Sequence, residues 1–257
     1  MKMKSYLVSG AGSGIGRAIA LKIASTDPSH RVFLLGRNRD RLLSVQRELP
    51  RSEQHEVLIA DLSEPKGLNG AILDARLDEC NLVSIVANAG VGGENHYGPN
   101  DRWNEIIETN LSGTYRFIQE CLPALRSSQE KHRSIVMVSS ILARIGVPGY
   151  SAYCASKAGL LGLTRSLAAE LAAEKILANA ICPGWVETEM ALAGLHEFAK
   201  NGLHPFSEVR EAEMAKVPLG KMSKPEEIAE LVYFLIGGSQ DSITGQTFDI
   251  NNGALMA

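Results

Sequence analysis

The tightest constraint on this 257-residue chain is a glycine-rich turn near its start, Ser9-Gly10-Ala11-Gly12-Ser13-Gly14-Ile15-Gly16, directly behind the apolar run Tyr6-Leu7-Val8. Gly10, Gly14 and Gly16 are spaced G-x-x-x-G-x-G. The spacing is not the strict G-x-G-x-x-G fingerprint, and with no Gly-Lys-Ser/Thr behind it the turn is not a P-loop. The physical demand is similar: a sharp reversal from strand to helix, a backbone close to a pyrophosphate, and a helix N-terminus aimed at negative charge. By itself such a turn serves a structural reversal equally well. Between a strand and a helix it predicts dinucleotide binding, with Ser9, Ser13 and Ile15 among the loop residues.

The strand–helix unit recurs along the chain. Apolar runs at 5–8, 32–35, 56–59, 82–87, 134–138, 177–181 and 246–250 read as strands. They are rich in Val, Ile and Leu without polar alternation, as parallel strands covered on both faces are. Helical patterns fall between them at 15–25, 39–48, 66–77, 102–127, 150–174 and 225–235. This alternation predicts an α/β fold, a Rossmann-type doubly wound parallel sheet of seven strands. No linker or repeat divides it, so 1–257 reads as a single domain. Residues 187–221 break the rhythm: helical but irregular, punctuated by Gly194, Gly202 and Pro205. They read as a helical lid inserted above the carboxyl edge of the sheet, where ligands bind in such folds.

Composition narrows the partners. A net charge of −3 gives no basic footprint for nucleic acid. No apolar run approaches the roughly 18 residues of a membrane span. The basic start Met1-Lys2-Met3-Lys4 resembles a signal peptide, but its apolar stretch stops at Ser9 and Gly10. Cys80, Cys121, Cys154 and Cys182 lack the close spacing of a zinc knuckle or a disulfide framework, which leaves no metal site and fits a reducing, cytoplasmic setting.

The second strand bears on which dinucleotide is held. An acidic residue at its end would bind the ribose hydroxyls of NAD. Here stand Gly36 and Arg37, with Arg39 and Arg41 close behind, while Ser13 and Asn38 add no charge. A guanidinium binds a 2′-phosphate through paired hydrogen bonds, whereas a carboxylate repels it. NADP(H) is therefore favoured over NAD(H). The alternative is that these arginines are a solvated helix start.

Further on, Tyr153 and Lys157 are four apart on one face of a predicted helix, and Ser140 stands thirteen before the tyrosine. Together with the glycine loop, these residues resemble the short-chain dehydrogenase/reductase family over nearly the whole chain. Asp61-Leu62 resembles the family's acidic pair near the adenine, and Ala87-Asn88-Ala89-Gly90 its N-N-A-G element with the first asparagine replaced. Asn110 matches the family's structural and proton-relay asparagine. Pro183-Gly184, with Val186 and Thr188, matches the element that grips the nicotinamide. Ser9 replaces the usual threonine. The segments Cys182–Met190, Val217–Lys221 and Ile243–Gln246 look more closely like those of 3-oxoacyl-carrier-protein reductases and aromatic-polyketide ketoreductases.

The resemblance implies an oxidoreductase that moves a hydride between NADP(H) and a ketone or secondary alcohol. Tyr153 acts as acid or base, Ser140 donates to the substrate oxygen, Lys157 holds ribose hydroxyls, and Asn110 binds a relay water. Tyr153 starts from a pKa of about 10, and a cation about 4 Å away at an effective dielectric near 20 is worth about 4 kcal/mol, so Lys157 is expected to pull that pKa down. The alternative function is an NAD-dependent dehydrogenase of a hydroxy acid, cyclic alcohol or polyol. A non-catalytic dinucleotide-binding regulator is disfavoured by the intact Ser140, Tyr153 and Lys157. Ser139 and Cys154 read as structural, and His96, His196, His204, Trp185 and Phe206 carry no firm role. Apolar stripes on 102–127 and 150–174 (Leu111, Tyr115, Ile118 and Leu122; Leu160, Leu163, Leu167 and Leu171) exceed what a sheet covers, so a homo-oligomer, a tetramer by resemblance, is expected.

Overall fold

A computed structural model describes residues 3–256, so Met1 and Lys2 of the basic start lie outside the described residues. Seven strands form one parallel sheet: β1 (Lys4–Ser9), β2 (His30–Gly36), β3 (Glu56–Ile59), β4 (Asn81–Ala87), β5 (Arg133–Val138), β6 (Ile176–Pro183) and β7 (Thr247–Ile250). Their order is β3-β2-β1-β4-β5-β6-β7. The chain winds outward from β1 in one direction and from β4 in the other, so the crevice between those two strands at their carboxyl ends is the switch point where ligands bind.

Strand geometry sends alternate side chains to opposite faces. Leu7, Phe33 and Leu35 enter one core layer, and Tyr6, Val8, Val32 and Leu34 enter the other. The first layer is covered by α3 (Pro65–Asp74), α5 (Gly113–Ser127) and α6 (Ser151–Leu171); the second by α1 (Gly14–Thr26), α2 (Arg39–Glu48) and α9 (Pro225–Ile236). All seven expected strands form.

The expected helix at 102–127 is not continuous. It runs as α4 (Trp103–Ile107), a π-helical turn at Glu108–Ser112, and α5. The wide turn is where Asn110 points inward and bonds to a neighbouring loop, the kind of place where π-bulges occur. Between β6 and α9 the irregular segment forms α7 (Glu189–Gly202) and α8 (Phe206–Ala215). Leu203 ends α7 in the left-handed region (φ 54°), and Pro205 caps α8. His196 stacks on Phe206 with ring centroids 4.1 Å apart and joins the two helices.

The apolar stripes expected to exceed the sheet's need are mostly absorbed by the protein's own core. Ile118, Leu122, Leu160, Leu167 and Leu171 are buried, and Leu111 packs against Gly159 of α6. Tyr115 stays exposed on α5. Among the described residues no helix is long and apolar enough to cross a membrane.

The β2–β3 edge is pinned by His55, which is 2% exposed. Its Nδ1 accepts the Val32 amide at 3.0 Å, and its Nε2 lies 2.9 Å from the Pro50 carbonyl. This pattern fits only the neutral ring with its proton on Nε2. Burial lowers the pKa of His55, and also that of His30. The unfolded chain takes up these protons near pH 6.5 while the folded chain resists, so the stabilisation is complete above that pH and drains as pH falls below it, by up to about 1.4 kcal/mol per pH unit for each group. The melting temperature is expected to drop steadily between about pH 6.5 and 5. His55→Gln, which keeps an acceptor and a donor, should shallow that slope; thermal unfolding at fixed ionic strength checks it.

Candidate active site

β1 ends at the crevice, and the next turn is shaped by what its glycines permit. Gly10 and Gly14 have positive φ (+66° and +50°). A Cβ on Gly16 would lie 2.2 Å from the Gly10 carbonyl, so any side chain there would separate α1 from β1. Beneath the turn the fully buried Ser9 hydroxyl accepts the amides of Asn88 and Ala89 at 3.0 and 3.1 Å and donates to the Val86 carbonyl. Asn88 returns its side-chain amide to the Ser9 and Gly10 carbonyls. Ser9 is thus a strut under the loop, with its hydroxyl engaged inside the protein. Ser13, by contrast, is exposed at the N-cap of α1 with no side-chain capping bond, and no acidic residue lies in the first helical turn. That set suits a phosphate: open backbone, free hydroxyl and the positive end of a helix.

At the end of β2, Gly36 closes the strand and Arg37 stands 63% exposed beside it. Its Nη1 lies 3.4 Å from Asp61 Oδ2. Burial pushes the Asp61 pKa up, but the Ser63 hydroxyl and amide and the Arg37 guanidinium outweigh it and hold the group below the usual carboxylate value. Leu62 is a core side chain, and its carbonyl accepts from Arg116 at 3.1 Å. A second cleft of about 470 Å³ opens beside Arg37, Ser63 and Glu105. The Asn38 side chain is engaged in capping α2 through the Arg41 amide. Arg41 reaches over the glycine loop to Glu189, the first residue of α7, at 2.7 Å. Nothing in the sequence signals that bridge, because its partners are far apart in the chain.

Ser140 follows β5, and Tyr153 and Lys157 sit on one face of α6. The Ser140 oxygen accepts the Leu142 amide at 3.1 Å, and the Ser140 hydroxyl works to lower the pKa of the Tyr153 phenol. Lys157, 5% exposed, donates to the Val138 carbonyl at 2.9 Å and lies 5.6 Å from the centre of the Tyr153 ring. Gly90 leaves that ammonium room, since a Cβ there would come within 3.4 Å of Nζ. The fully buried Asn110 side chain accepts from Val91 N–H at 2.7 Å and donates to the Val91 carbonyl and to Ser156. Its amide thereby fixes the loop after β4. Ser139 donates to the Lys157 carbonyl at 2.8 Å, a structural bond.

The expected lowering of the Tyr153 pKa is not what the site shows. Burial raises it to about 12, only partly opposed by Ser140, and burial lowers Lys157 to about 8. Desolvation disfavours both charged forms, and the Lys157 ammonium is turned toward the Val138 carbonyl. At neutral pH the site therefore holds a protonated phenol beside a mostly protonated lysine: a proton donor with a cation behind it.

These groups open onto a cavity of about 880 Å³ that also reaches Gly10, Ser13, Gly14, Asn88, Ala89 and Gly90. Pro183, Gly184, Val186 and Thr188 line its far side. Gly184 passes under Asn251, Val186 pairs with Ser223, and the Thr188 methyl group packs against Gly14 while its hydroxyl caps α7. Trp185, Met190 and Phe198 form an apolar wall whose role the sequence left open, and Tyr150 beside them went unremarked.

A glycine cradle, a helix N-terminus and a Ser–Tyr–Lys set at the switch point of a doubly wound sheet define an NAD(P)-dependent oxidoreductase. A family model described as enoyl-(acyl carrier protein) reductase matches residues 10–254. The 3-oxoacyl-[acyl-carrier-protein] reductase of Staphylococcus aureus is 31% identical over 259 residues, covering all of both chains. That of Escherichia coli is 31% identical over 255 residues, 98% of each. Among solved structures, a variant of actinorhodin polyketide ketoreductase with NADPH superposes with a TM-score of 0.90 at 30% identity, covering 99% of each chain. Levodione reductase, at 22% identity and a TM-score of 0.88 over 98% of each chain, shares the fold. The chain belongs to the short-chain dehydrogenase/reductase family.

The protonation pattern has a kinetic consequence. Lys157 keeps its charge below pH 8 and loses it as the pH rises through about 8, while Tyr153 keeps its proton to about 12. For carbonyl reduction, kcat/KM is expected to be level below that lower value and to decline above it. Lys157→Met should remove the break together with most of the activity. Steady-state profiles in overlapping buffers check this.

Proposed function

We propose that the protein reduces a ketone to a secondary alcohol, with NADPH as the coenzyme. The observation that carries this reading is the neutral Tyr153 phenol, sharing the cavity wall with Ser140 and backed by the Lys157 ammonium, where the glycine cradle opens. The bound coenzyme supplies the hydride; the chain's own residues manage orientation and the proton. Ser140 and Tyr153 fix the carbonyl oxygen with two hydroxyl donors. As negative charge develops on that oxygen, the Tyr153 proton passes to it. The phenolate left behind is stabilised by Lys157, whose own position is set by the Val138 carbonyl. Asn110 holds the Gly90–Val91 backbone, and with it the cavity wall, in place. Residues 187–221 serve as the lid: α7 lays Met190 and Phe198 over the cavity and excludes water from the reacting atoms. Relatives named as 3-oxoacyl-[acyl-carrier-protein] reductases and polyketide ketoreductase support a carbonyl substrate.

Arg37 supports NADPH by its place at the end of β2, and the NADPH of the ketoreductase relative points the same way. One observation favours NAD instead: Asp61 lies 3.4 Å from that guanidinium and partly neutralises it.

Tyr153→Phe keeps the ring's packing and deletes the proton donor, so turnover should fall by about a thousandfold. Coenzyme affinity, titrated by fluorescence, should stay within about threefold of wild type. Substantial residual turnover removes Tyr153 from the reaction.

Arg37→Ala should raise KM for NADPH about ten- to a hundredfold with little effect on NADH, the usual loss of a charged hydrogen-bond partner. Gly36→Asp goes further, and there is room for it, because a Cβ at Gly36 meets Leu42 at an ordinary 3.5 Å. The added carboxylate repels a 2′-phosphate and accepts a ribose hydroxyl. Wild-type kcat/KM values for the two coenzymes at one salt concentration decide the preference; a preference for NADH overturns the NADPH assignment.

A further inference from the structure

Ser140 is fixed from its two sides by different means. Upstream, Ser139 continues β5: its amide donates to the Ile181 carbonyl of β6 at 2.8 Å, and its hydroxyl to the Lys157 carbonyl of α6 at 2.8 Å. Downstream, Ser140 caps a single 3₁₀ turn, Ile141–Ala143, through the Leu142 amide, and Arg144 closes that turn. An isolated turn of this kind is weakly held, since its hydrogen-bond geometry is poor and it orders several residues for few bonds. Cys154 adds a weak bond to the Ile145 carbonyl, with Sγ 3.7 Å away. The stronger tie is an ion pair: Arg144 Nε lies 2.9 Å from Asp249 Oδ1 on β7. β6 stands between β5 and β7, so the pair reaches across it. Asp249 is the register partner of Cys182, whose side chain is fully buried on that same face of the sheet.

The two side chains are 28% and 23% exposed, so water screens the pair less than it screens an open one. A fully solvated ion pair contributes little, whereas removing one partner of a covered pair leaves the other charge without compensation. Arg144 and Asp249 stand outside the cavity, yet Ser140, Ile141, Leu142 and Ile145 on either side of Arg144 line it. The pair therefore reaches the chemistry only through the turn that it closes.

Resting on the ketone-reductase reading, we propose that Arg144 and Asp249 are positioning residues for that reaction. Their ion pair holds the turn behind Ser140, and so keeps the Ser140 hydroxyl aimed at the carbonyl oxygen beside Tyr153. A preorganised donor is effective because it need not move as charge develops, and a displacement of about 1 Å forfeits much of that effect. Breaking the pair slows the chemical step. Coenzyme binding, carried by the glycine cradle on the other side of the crevice, is left alone.

The experiment is a double-mutant cycle, with cyclohexanone and 1-tetralone as probe ketones. Asp249→Asn should lower kcat about tenfold, while KM for the ketone and the affinity for NADPH, titrated by fluorescence, stay within about twofold of wild type. In a Ser140→Ala background the same substitution should change kcat by less than about twofold, because the group it positions is gone. Amide exchange over residues 140–145, followed by mass spectrometry, should quicken in Asp249→Asn. A full tenfold loss in the Ser140→Ala background, no loss in the enzyme that retains Ser140, or unchanged exchange at 140–145 overturns the proposal. Arg144→Met, which breaks the pair from the other end, takes the place of Asp249→Asn if that variant does not fold. Failure of wild type to reduce either ketone with either coenzyme, or a Ser140→Ala enzyme as fast as wild type, counts against the ketone-reductase reading instead. In that event exchange at 140–145 still decides whether the pair holds the turn.

Discussion

The site depends on how closely β1, α1 and β4 approach one another at the switch point. A Cβ on Gly10 would meet the Ala89 backbone at 2.8 Å, and one on Gly16 would overlap the Gly10 carbonyl. Into the narrow space left, the chain puts one hydroxyl and one amide, Ser9 and Asn88, which satisfy the backbone groups that the parting strands leave unpaired. Buried backbone groups without partners are costly, so these bonds fix the crevice as well as fill it. The helix N-terminus at Ser13 and the ammonium space beside Gly90 both inherit their positions from this junction.

Burial then decides the chemistry. The same desolvation that makes Lys157 easier to deprotonate keeps Tyr153 protonated far above neutrality. The phenol so held keeps its proton across the neutral range, but a raised pKa makes it a weaker acid, so giving up that proton depends on a nearby positive charge to hold the phenolate. The positioning bonds follow the same economy: Asn110 engages both Val91 backbone groups, and Lys157 uses one donor on Val138. Each of these side chains therefore stands against a backbone group at the end of a strand.

α7 ties three regions together. Its first residue meets Arg41 above the glycine loop, Phe198 packs edge-on against Tyr150 at the start of α6, and Asn201 grips Glu94 on the loop after β4. The glycine loop, α6 and the loop after β4 are thus linked to one two-sided element that buries only Leu195 and Ala199. Few buried apolar contacts and many polar ones are the mark of an element that can open locally without unfolding the rest.

Local chemistry made much of this protein legible in its sequence. Seven apolar runs became seven strands because each is long enough to cross a sheet covered on both faces, and the turn at Gly10–Gly16 announced itself because only glycine fits there. The four-residue spacing put Tyr153 and Lys157 on one helix face, but Ser140, Tyr153 and Lys157 were singled out as a set only through the family resemblance carried with the glycine loop. Spacing says nothing about solvation, however, so the direction of the Tyr153 shift was misjudged; burial by the folded chain outweighs the neighbouring cation. Nor does it reveal that Ser9 is a strut, that Asn110 opens a π-turn, or that surplus leucines on α5 and α6 find a home in the core. The bonds from Arg41 to Glu189 and Glu94 to Asn201, and the edge-on contact of Tyr150 with Phe198, join residues scattered along the chain. Only the tertiary structure decided them, because a charge or hydrogen-bond pair is set by distance in space, while sequence determines the local backbone geometry from which those distances arise.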